Sequence, residues 1–311
     1  ASGRDCVLQG INARVFTEAA LLCEQLGRVV THLNEQQSGW VPDLIATQAG
    51  NSFVQADDRV WRLWQFVPGE TLQLDHCAPA LRLARLRAAG QAFASTQVML
   101  ESLPGKRLQP AIGHYHDLSY HLQRYDDLHG ARNSLPAQWR ERVALFREQP
   151  FGLLASDGYI HGDCKPDNLL YRAGSAEVAA VLDLDTVMWG SRALDFGDLV
   201  RSSVWVNEQF DEDSFDALLQ GFVDGQRSSA QPCSARKLSA APVYVSFMLS
   251  LRYLLDHLSG DREFKVTQPG DNLGRAERQF QRTLQLDEAR DYVQSQVQVA
   301  TASDPSGASP G

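Results

Sequence analysis

Apolar residues recur at helical spacing over residues 17–33, where Leu21, Leu22, Leu26, Val29, Val30 and Leu33 share one face. Thr17 supplies an N-cap and the stretch stops before Ser38-Gly39, so the pattern predicts an amphipathic helix. The period then changes. Short β-rich runs at 44–47, 52–55 and 60–67, separated by Ala49-Gly50-Asn51 and Asp57-Asp58, predict a small antiparallel meander that Pro68-Gly69 terminates. Helical patterns return at 79–100, 115–127 and 136–146, with little strand signal until Gly158. Residues 169–180 read as a hairpin turning near Ala173-Gly174-Ser175, and 177–184 (Glu-Val-Ala-Ala-Val-Leu-Asp-Leu) as a buried strand. Beyond Arg201 the chain is expected to be helical at 213–225, 239–259 and 273–297. The fold class is therefore α+β: a small antiparallel-sheet part over residues 1–68, a large mainly helical part over 69–300, and a tail at 301–311. That tail is Ser, Pro, Gly and Ala with one acid, too small and polar to pack, and is expected to be disordered.

One segment of this frame carries chemistry. His161-Gly-Asp-Cys-Lys-Pro-Asp-Asn168 is followed fifteen residues later by Asp183-Leu-Asp185, the first of these acids closing the buried strand. Transfer of a γ-phosphate to a hydroxyl requires a carboxylate near the hydroxyl proton and magnesium across the phosphate oxygens. Asp163, Asn168 and Asp183 meet that requirement as base and metal ligands. Gly162 permits a tight turn and Pro166 stiffens it, while Cys164 is read as a small filler. Taken alone, an Asp-x-Asp is more often a turn or capping feature, and a lone His-Gly-Asp is weak. The ordered series of loop, hairpin, strand and acid is what gives the pattern weight.

Composition narrows the partners. The chain has 311 residues, 29 basic against 38 acidic, and a net charge of −9, which argues against nonspecific nucleic-acid or anionic-membrane binding and for small molecules. Five scattered cysteines without Cys-x-x-Cys pairing suggest neither a disulfide framework nor zinc, and fit a reducing cytoplasm. The longest apolar stretch, 241–258, is interrupted by Arg252 and Asp256 and reads as a core helix, so no membrane partner is expected.

These residues resemble the aminoglycoside phosphotransferase and choline kinase type of small-molecule kinases, which share a two-lobed protein-kinase-like fold. Within that group the chain is most similar to the N-acetylhexosamine 1-kinases, on Val181-Leu-Asp-Leu-Asp-Thr-Val-Met188, Asp195-Phe-Gly-Asp198 with Arg201, and Tyr115-His-Asp117. The likeness continues through Leu251-Arg-Tyr-Leu-Leu-Asp256, Gly260-Asp-Arg-Glu-Phe-Lys265 and Asn272-Leu-Gly-Arg-Ala276. It implies ATP-dependent phosphorylation of a sugar hydroxyl, with ATP and Mg2+ as cofactors, Asp163 as base, and Asn168 with Asp183 on the metal. Lys165 would steady the γ-phosphate, although a solvated loop lysine is the plainer reading. Asp185 stands as a further metal ligand or a strand-end hydrogen-bonding group. His161 and Asp195 are expected to hold the loop, Gln65, Phe66 and Val67 to lie at an adenine-binding hinge, and His116, Asp117, Arg201 and Arg252 to recognise the sugar or to serve as internal ion pairs.

The chain departs from the family pattern on the nucleotide side. The family's first β-hairpin precedes the stretch that Cys6-Val-Leu-Gln-Gly-Ile-Asn12 resembles, so about forty residues or somewhat fewer, the length of two strands and a turn, are expected to be missing and ATP binding to be weak. Gly10 stands where the family tends to carry a basic residue, leaving the cation for the α- and β-phosphates unidentified. Two further readings stay open. An aminoglycoside or amino-alcohol kinase would need an acidic acceptor pocket, for which residues 211–216 are a hint, and a nucleotide-binding pseudokinase would suit an absent phosphate loop.

Overall fold

A computed structural model describes residues 5–11, 18–56, 59–72, 77–128, 130 and 135–302. The expected N-cap Thr17 lies outside them. The chain starts with strand β1 (Cys6–Gly10), helix α1 (Ala19–Gln36), β2 (Val54–Ala56) and β3 (Arg59–Gln65). The three strands form an antiparallel sheet with β3 in the middle, Gln9 facing Arg62 and Val54 facing Trp61. The meander is less regular than its β-rich runs suggest. Residues 44–47 contribute only an isolated bridge from Leu44 to Trp64, because Thr47 closes a turn with Gly50 and Asn51 that takes up the backbone groups a strand would need. Alternation along β3 turns Val60 and Arg62 inward, where both are buried. A guanidinium on an inward strand face has to be paired, and its partner comes from the candidate site described below.

The large part runs α2 (Pro79–Leu100), α3 (Leu118–Asp127), α4 (Ala137–Arg147), β4 (Gly158–Ile160), β5 (Leu169–Tyr171), β6 (Val178–Val181) and β7 (Met188–Gly190). It continues with α5 (Ala193–Ser203), β8 (Trp205–Val206), β9 (Gln209–Phe210), α6 (Glu212–Gly225), α7 (Ala235–Leu258), α8 (Asp271–Glu288) and α9 (Arg290–Ala302). β4 pairs with β7 and β5 with β6, both antiparallel, so residues 161–168 leave one two-stranded ladder and enter the other. Phe93, Phe146, Phe196, Phe215, Phe222, Phe247 and Phe280 fill the core between the helices, each almost wholly removed from water. α7 is long and apolar enough by composition to cross a membrane, but 72% of its apolar window is buried within the fold, which makes it the central core helix.

Three expectations shift. The helix at 273–297 divides into α8 and α9 at Ala289, a break that brings Val293 and Val297 back onto the core without interrupting the apolar period. Thr301 and Ala302 belong to α9 rather than to a tail, and 303–311 lie outside the described residues. The β8–β9 hairpin was not anticipated: its turn is made by Asn207 and Glu208, both at positive φ (49° and 59°), a mirror-image turn reached without the glycine that advertises it.

α2 and α6 approach so closely that a Cβ on Gly90 would sit 2.3 Å from the Leu218 carbonyl oxygen, and one on Gly221 1.8 Å from that of Arg87. Gly221→Ala should therefore cost about 1–3 kcal/mol through forced separation of the helices. Gly274→Ala, in α8 with nothing within 4 Å of the added carbon, should gain about 0.5–1 kcal/mol. Thermal unfolding checks both: the two midpoints move in opposite directions.

Candidate active site

The loop from 161 to 168 hangs from a buried carboxylate. Asp195, in the first turn of α5 and 1% exposed, accepts the amide of His161 at 2.8 Å and of Gly162 at 2.9 Å, and the side chain of Gln97 at 2.7 Å. Gly162 is at φ +83°, and a Cβ there would lie 2.6 Å from the Thr186 carbonyl oxygen, so the close crossing of these segments requires glycine. His161 Nδ1 accepts from the Asp163 amide, and Nε2 donates to the Leu182 carbonyl at 2.8 Å. Thr186 Oγ1 donates to the His161 carbonyl at 2.8 Å, and the Leu182 amide to that of Asn168 at 2.9 Å. These bonds lock the loop to the segment carrying Asp183.

Asp163, Lys165 and Asn168 then meet at one oxygen. Asp163 Oδ2 accepts from Lys165 Nζ at 2.6 Å and from Asn168 Nδ2 at 3.0 Å, while Asn168 Nδ2 also reaches the Asp163 carbonyl at 2.7 Å. Both Asp163 Oδ1 and Asn168 Oδ1 are left without a protein donor among the described residues. Burial works against ionisation of Asp163, but the Lys165 ammonium, aided by His161 and Asn168, outweighs it and holds the carboxyl below its ordinary range. Lys165 is raised in turn, its pairing with Asp163 exceeding the cost of burial. Asp183 follows β6 in the left-handed region, φ 56° and ψ 57°, at a cost of about 1–2 kcal/mol for a residue with a Cβ. Burial, reinforced by the neighbouring Asp185 carboxylate, raises its carboxyl. A strained acid at a strand end is the kind of position retained for what its side chain faces.

Asp183 faces a cavity of about 480 Å3 between the sheet and the large part, lined also by Leu8, Arg62, Gln65, Phe66, Val67 and Leu182. The three expected hinge residues thus share one cavity with an expected metal ligand. The Gln65 amide is taken by the Asp43 carbonyl and the Phe66 amide by that of Asp5, whereas the Val67 amide and carbonyl have no protein partner among the described residues. Asp185 does not join Asp183 at the cavity as a ligand: both its oxygens are held at 2.6 Å by the two terminal nitrogens of Arg62, and the pair is buried.

The residues expected to recognise a sugar divide. Arg252 lies across the Tyr115 ring at 4.5 Å and the Phe264 ring at 5.3 Å, and among the described residues no carboxylate comes within ion-pair distance of it. Arg201 is paired with Asp198 at 2.7 Å. Burial pushes the Asp198 carboxyl up to about 6 despite that arginine, and the Asp163 charge contributes to the rise. His116 Nε2 instead donates to the Gly162 carbonyl, 2.9 Å away, so it props the 161–168 loop; burial lowers its ring to about 4. Asp117 caps α3 by accepting the Tyr120 amide at 3.0 Å and bonds His114, which removes it from the expected sugar site.

Sequence reasoning passed over several contributors. Gln97 sits in the last turn of α2 with no motif to mark it, yet ties Asp195 to the Arg192 carbonyl. Asp256, wholly buried, collects the amides of Arg262, Glu263 and Phe264 and the Asn272 side chain, and so places Phe264 against Arg252. The motif around 256–272 was visible, but not this role.

A family model described as APH, phosphotransferase enzyme family, matches residues 3–231, well over half of the chain. The chain belongs to this phosphotransferase family. Its structure is similar to that of an aminoglycoside phosphotransferase from Alicyclobacillus acidocaldarius at 14% identity and TM-score 0.57, covering 97% of this chain and 88% of that one. A choline kinase from Cryptosporidium parvum matches at 11% identity and TM-score 0.57, over 94% and 85% of the two chains. An ADP-bound aminoglycoside phosphotransferase matches at 13% identity and TM-score 0.51, over 86% and 85%. At these identities the likeness is one of fold, which is protein-kinase-like. The family assignment makes the chain a small-molecule phosphotransferase enzyme.

The depressed His116 ring gives this phosphotransferase a pH signature. A histidine whose folded value is lowered from 6.5 to about 4 stabilises the fold fully above the unfolded value, and that contribution fades as pH falls from about 6.5 to about 4. In urea titrations, the stability advantage of wild type over His116→Asn should therefore shrink across that interval. An advantage that is flat with pH contradicts the neutral, loop-propping His116.

Proposed function

We propose that this phosphotransferase moves the γ-phosphoryl group of ATP to a hydroxyl of an N-acetylhexosamine-type sugar, the anomeric hydroxyl being the first candidate. The observation that carries the reaction class is an ionised carboxylate with one oxygen left open, Asp163, bonded to its lysine and close enough to the strained Asp183 for their charges to act on one another, with Asp183 facing a nucleotide-sized cavity. Asp163 Oδ1 would take the hydroxyl proton as the acceptor oxygen bonds to the γ-phosphorus and the bond to the β,γ-bridging oxygen breaks, its electron pair leaving with ADP. Lys165 offsets the charge gathering on the transferred group, and the open Val67 amide and carbonyl would receive the adenine edge. Magnesium, when bound, neutralises the phosphate oxygens; Asn168 Oδ1 and the Asp183 carboxylate would hold it. Two such groups suit an ion that keeps several waters and binds through one or two carboxylates plus phosphates, and no cluster of three acidic, histidine or cysteine side chains exists among the described residues for a more demanding metal.

The acceptor class is argued from Arg252. A guanidinium stacked on Tyr115, with no carboxylate at ion-pair distance among the described residues, repels a polycation and suits hydroxyl or acetamido oxygens. Arg201, neutralised by Asp198, does not alter that balance. An aminoglycoside or amino-alcohol acceptor would call for an excess of acid in this region. A cytoplasmic site of action, where ATP is held, accords with this reading.

An ADP-release assay with N-acetylglucosamine or N-acetylgalactosamine should show turnover well above that with an aminoglycoside or choline, and phosphorus NMR should find a sugar 1-phosphate. Asp163→Asn should lower kcat by about 10²–10⁴-fold while the protein still folds. Turnover confined to the cationic acceptors refutes the sugar assignment, and nucleotide binding without transfer refutes the enzyme.

A further inference from the structure

Arg62 is the most heavily committed cation facing the nucleotide cavity. It projects from the inward face of β3, and its side chain is 2% exposed. Its Nε donates to Gln9 Oε1 at 3.0 Å, on the facing strand, and the same oxygen accepts from Trp64 Nε1 at 2.7 Å. Its two terminal nitrogens hold Asp185 at 2.6 Å each, and its guanidinium lies 5.0 Å from the Trp64 ring centroid. A guanidinium has five N–H donors, and these contacts use three. The remaining two sit on the terminal nitrogens of a residue that lines the cavity together with Asp183 and Val67. Arg62 holds Asp185, two residues from Asp183, so a nucleotide with its base at Val67 and its phosphates toward Asp183 would bring the diphosphate to Arg62.

We infer that Arg62, clamped by Asp185, is the cation of the small sheet that binds the nucleotide's diphosphate, and that Asp185 serves as its anchor. This rests on the reading of the cavity as the ATP site. With Nε on Gln9 and one N–H of each terminal nitrogen on Asp185, each terminal nitrogen keeps one N–H that can donate to a phosphate oxygen. Asp185 fixes the orientation of the guanidinium before the ligand arrives, so little ordering has to accompany binding. The position of Arg62 also accounts for how the chain manages with Gly10 on β1: the charge has moved to the middle strand, one register pair from Gly10, since Trp61 faces Gly10 and Arg62 faces Gln9.

Calorimetry with ADP and with adenosine, on wild type, Arg62→Gln and Arg62→Lys, tests this. Arg62→Gln should weaken ADP binding by tenfold or more and leave adenosine affinity within about twofold, since the removed donors reach phosphate only. Arg62→Lys keeps the ion pair with Asp185 and should recover part of the ADP affinity. In turnover, Arg62→Gln should raise KM for ATP with little change in KM for the acceptor. Equal loss of ADP and adenosine affinity would make Arg62 a structural brace and overturn the inference. So would unchanged ADP binding. Should Arg62→Gln fail to fold, Arg62→Lys with undiminished ADP affinity and no change in ADP-over-adenosine preference decides against it, and a shift in that preference decides for it. If wild type binds adenosine and ADP nowhere, the ATP reading itself falls and this inference with it; if wild type binds ADP and the variants bind it equally, only the role of Arg62 falls.

Discussion

Two backbone amides of the catalytic loop and one carboxamide end on the Asp195 carboxylate, in a place that water does not reach. A buried charge is tolerable only when its lone pairs are satisfied, and here the satisfying donors are the very peptide groups whose direction must be set. The helix that carries Asp195 adds its own positive end, because the acid lies in the first turn of α5. α5 in turn packs against α7, the long apolar core helix, so Asp195 ties the position of Asp163 to the hydrophobic core, alongside the bonds that His116 and Thr186 make to the same loop. Stability and geometry are the same quantity at this point: whatever loosens the core end of that chain of contacts loosens the base.

Around that anchor the site separates charges that would otherwise repel. Asp163, Asp183, Asp185 and Asp198 come from three short stretches and would not stay ionised together in an apolar setting. Lys165 serves the first, Arg62 the third and Arg201 the fourth, which leaves Asp183 as the acid without a dedicated cation. Its raised carboxyl and left-handed backbone are two expressions of the same debt, one electrostatic and one conformational. A positive charge beside the side chain would offset the first; the second is a backbone cost that no ligand removes.

How much of this was legible depended on the range of the interaction. The α2 helix, the hairpin of β5 and β6, and the sequence from Asp163 to Asp183 follow from periodicity and turn chemistry, which act within a few residues. Asp185 could not be placed in the same way, since its role is decided by Arg62, 123 positions earlier, and β3 offers no local reason for an inward arginine. Asp117 misled for the opposite reason: its neighbours form a family-like triplet, but capping the next helix was a nearer use for the side chain. The division at Ala289 and the turn at Asn207 and Glu208 are tertiary outcomes, imposed by what the following segments must cover, and neither carries a glycine or proline to announce it.

The Asp256 carboxylate collects three loop amides in the way Asp195 collects two, but it does so for the segment that presents Phe264 to Arg252. The segment around Phe264 and the loop carrying Asp163 are thus hung from different buried acids, on different helices, with no hydrogen bond shared between them among the described residues. The loop at 260–265 can therefore change in length or sequence without disturbing the loop that carries Asp163. Variation there is a local edit rather than a refolding problem.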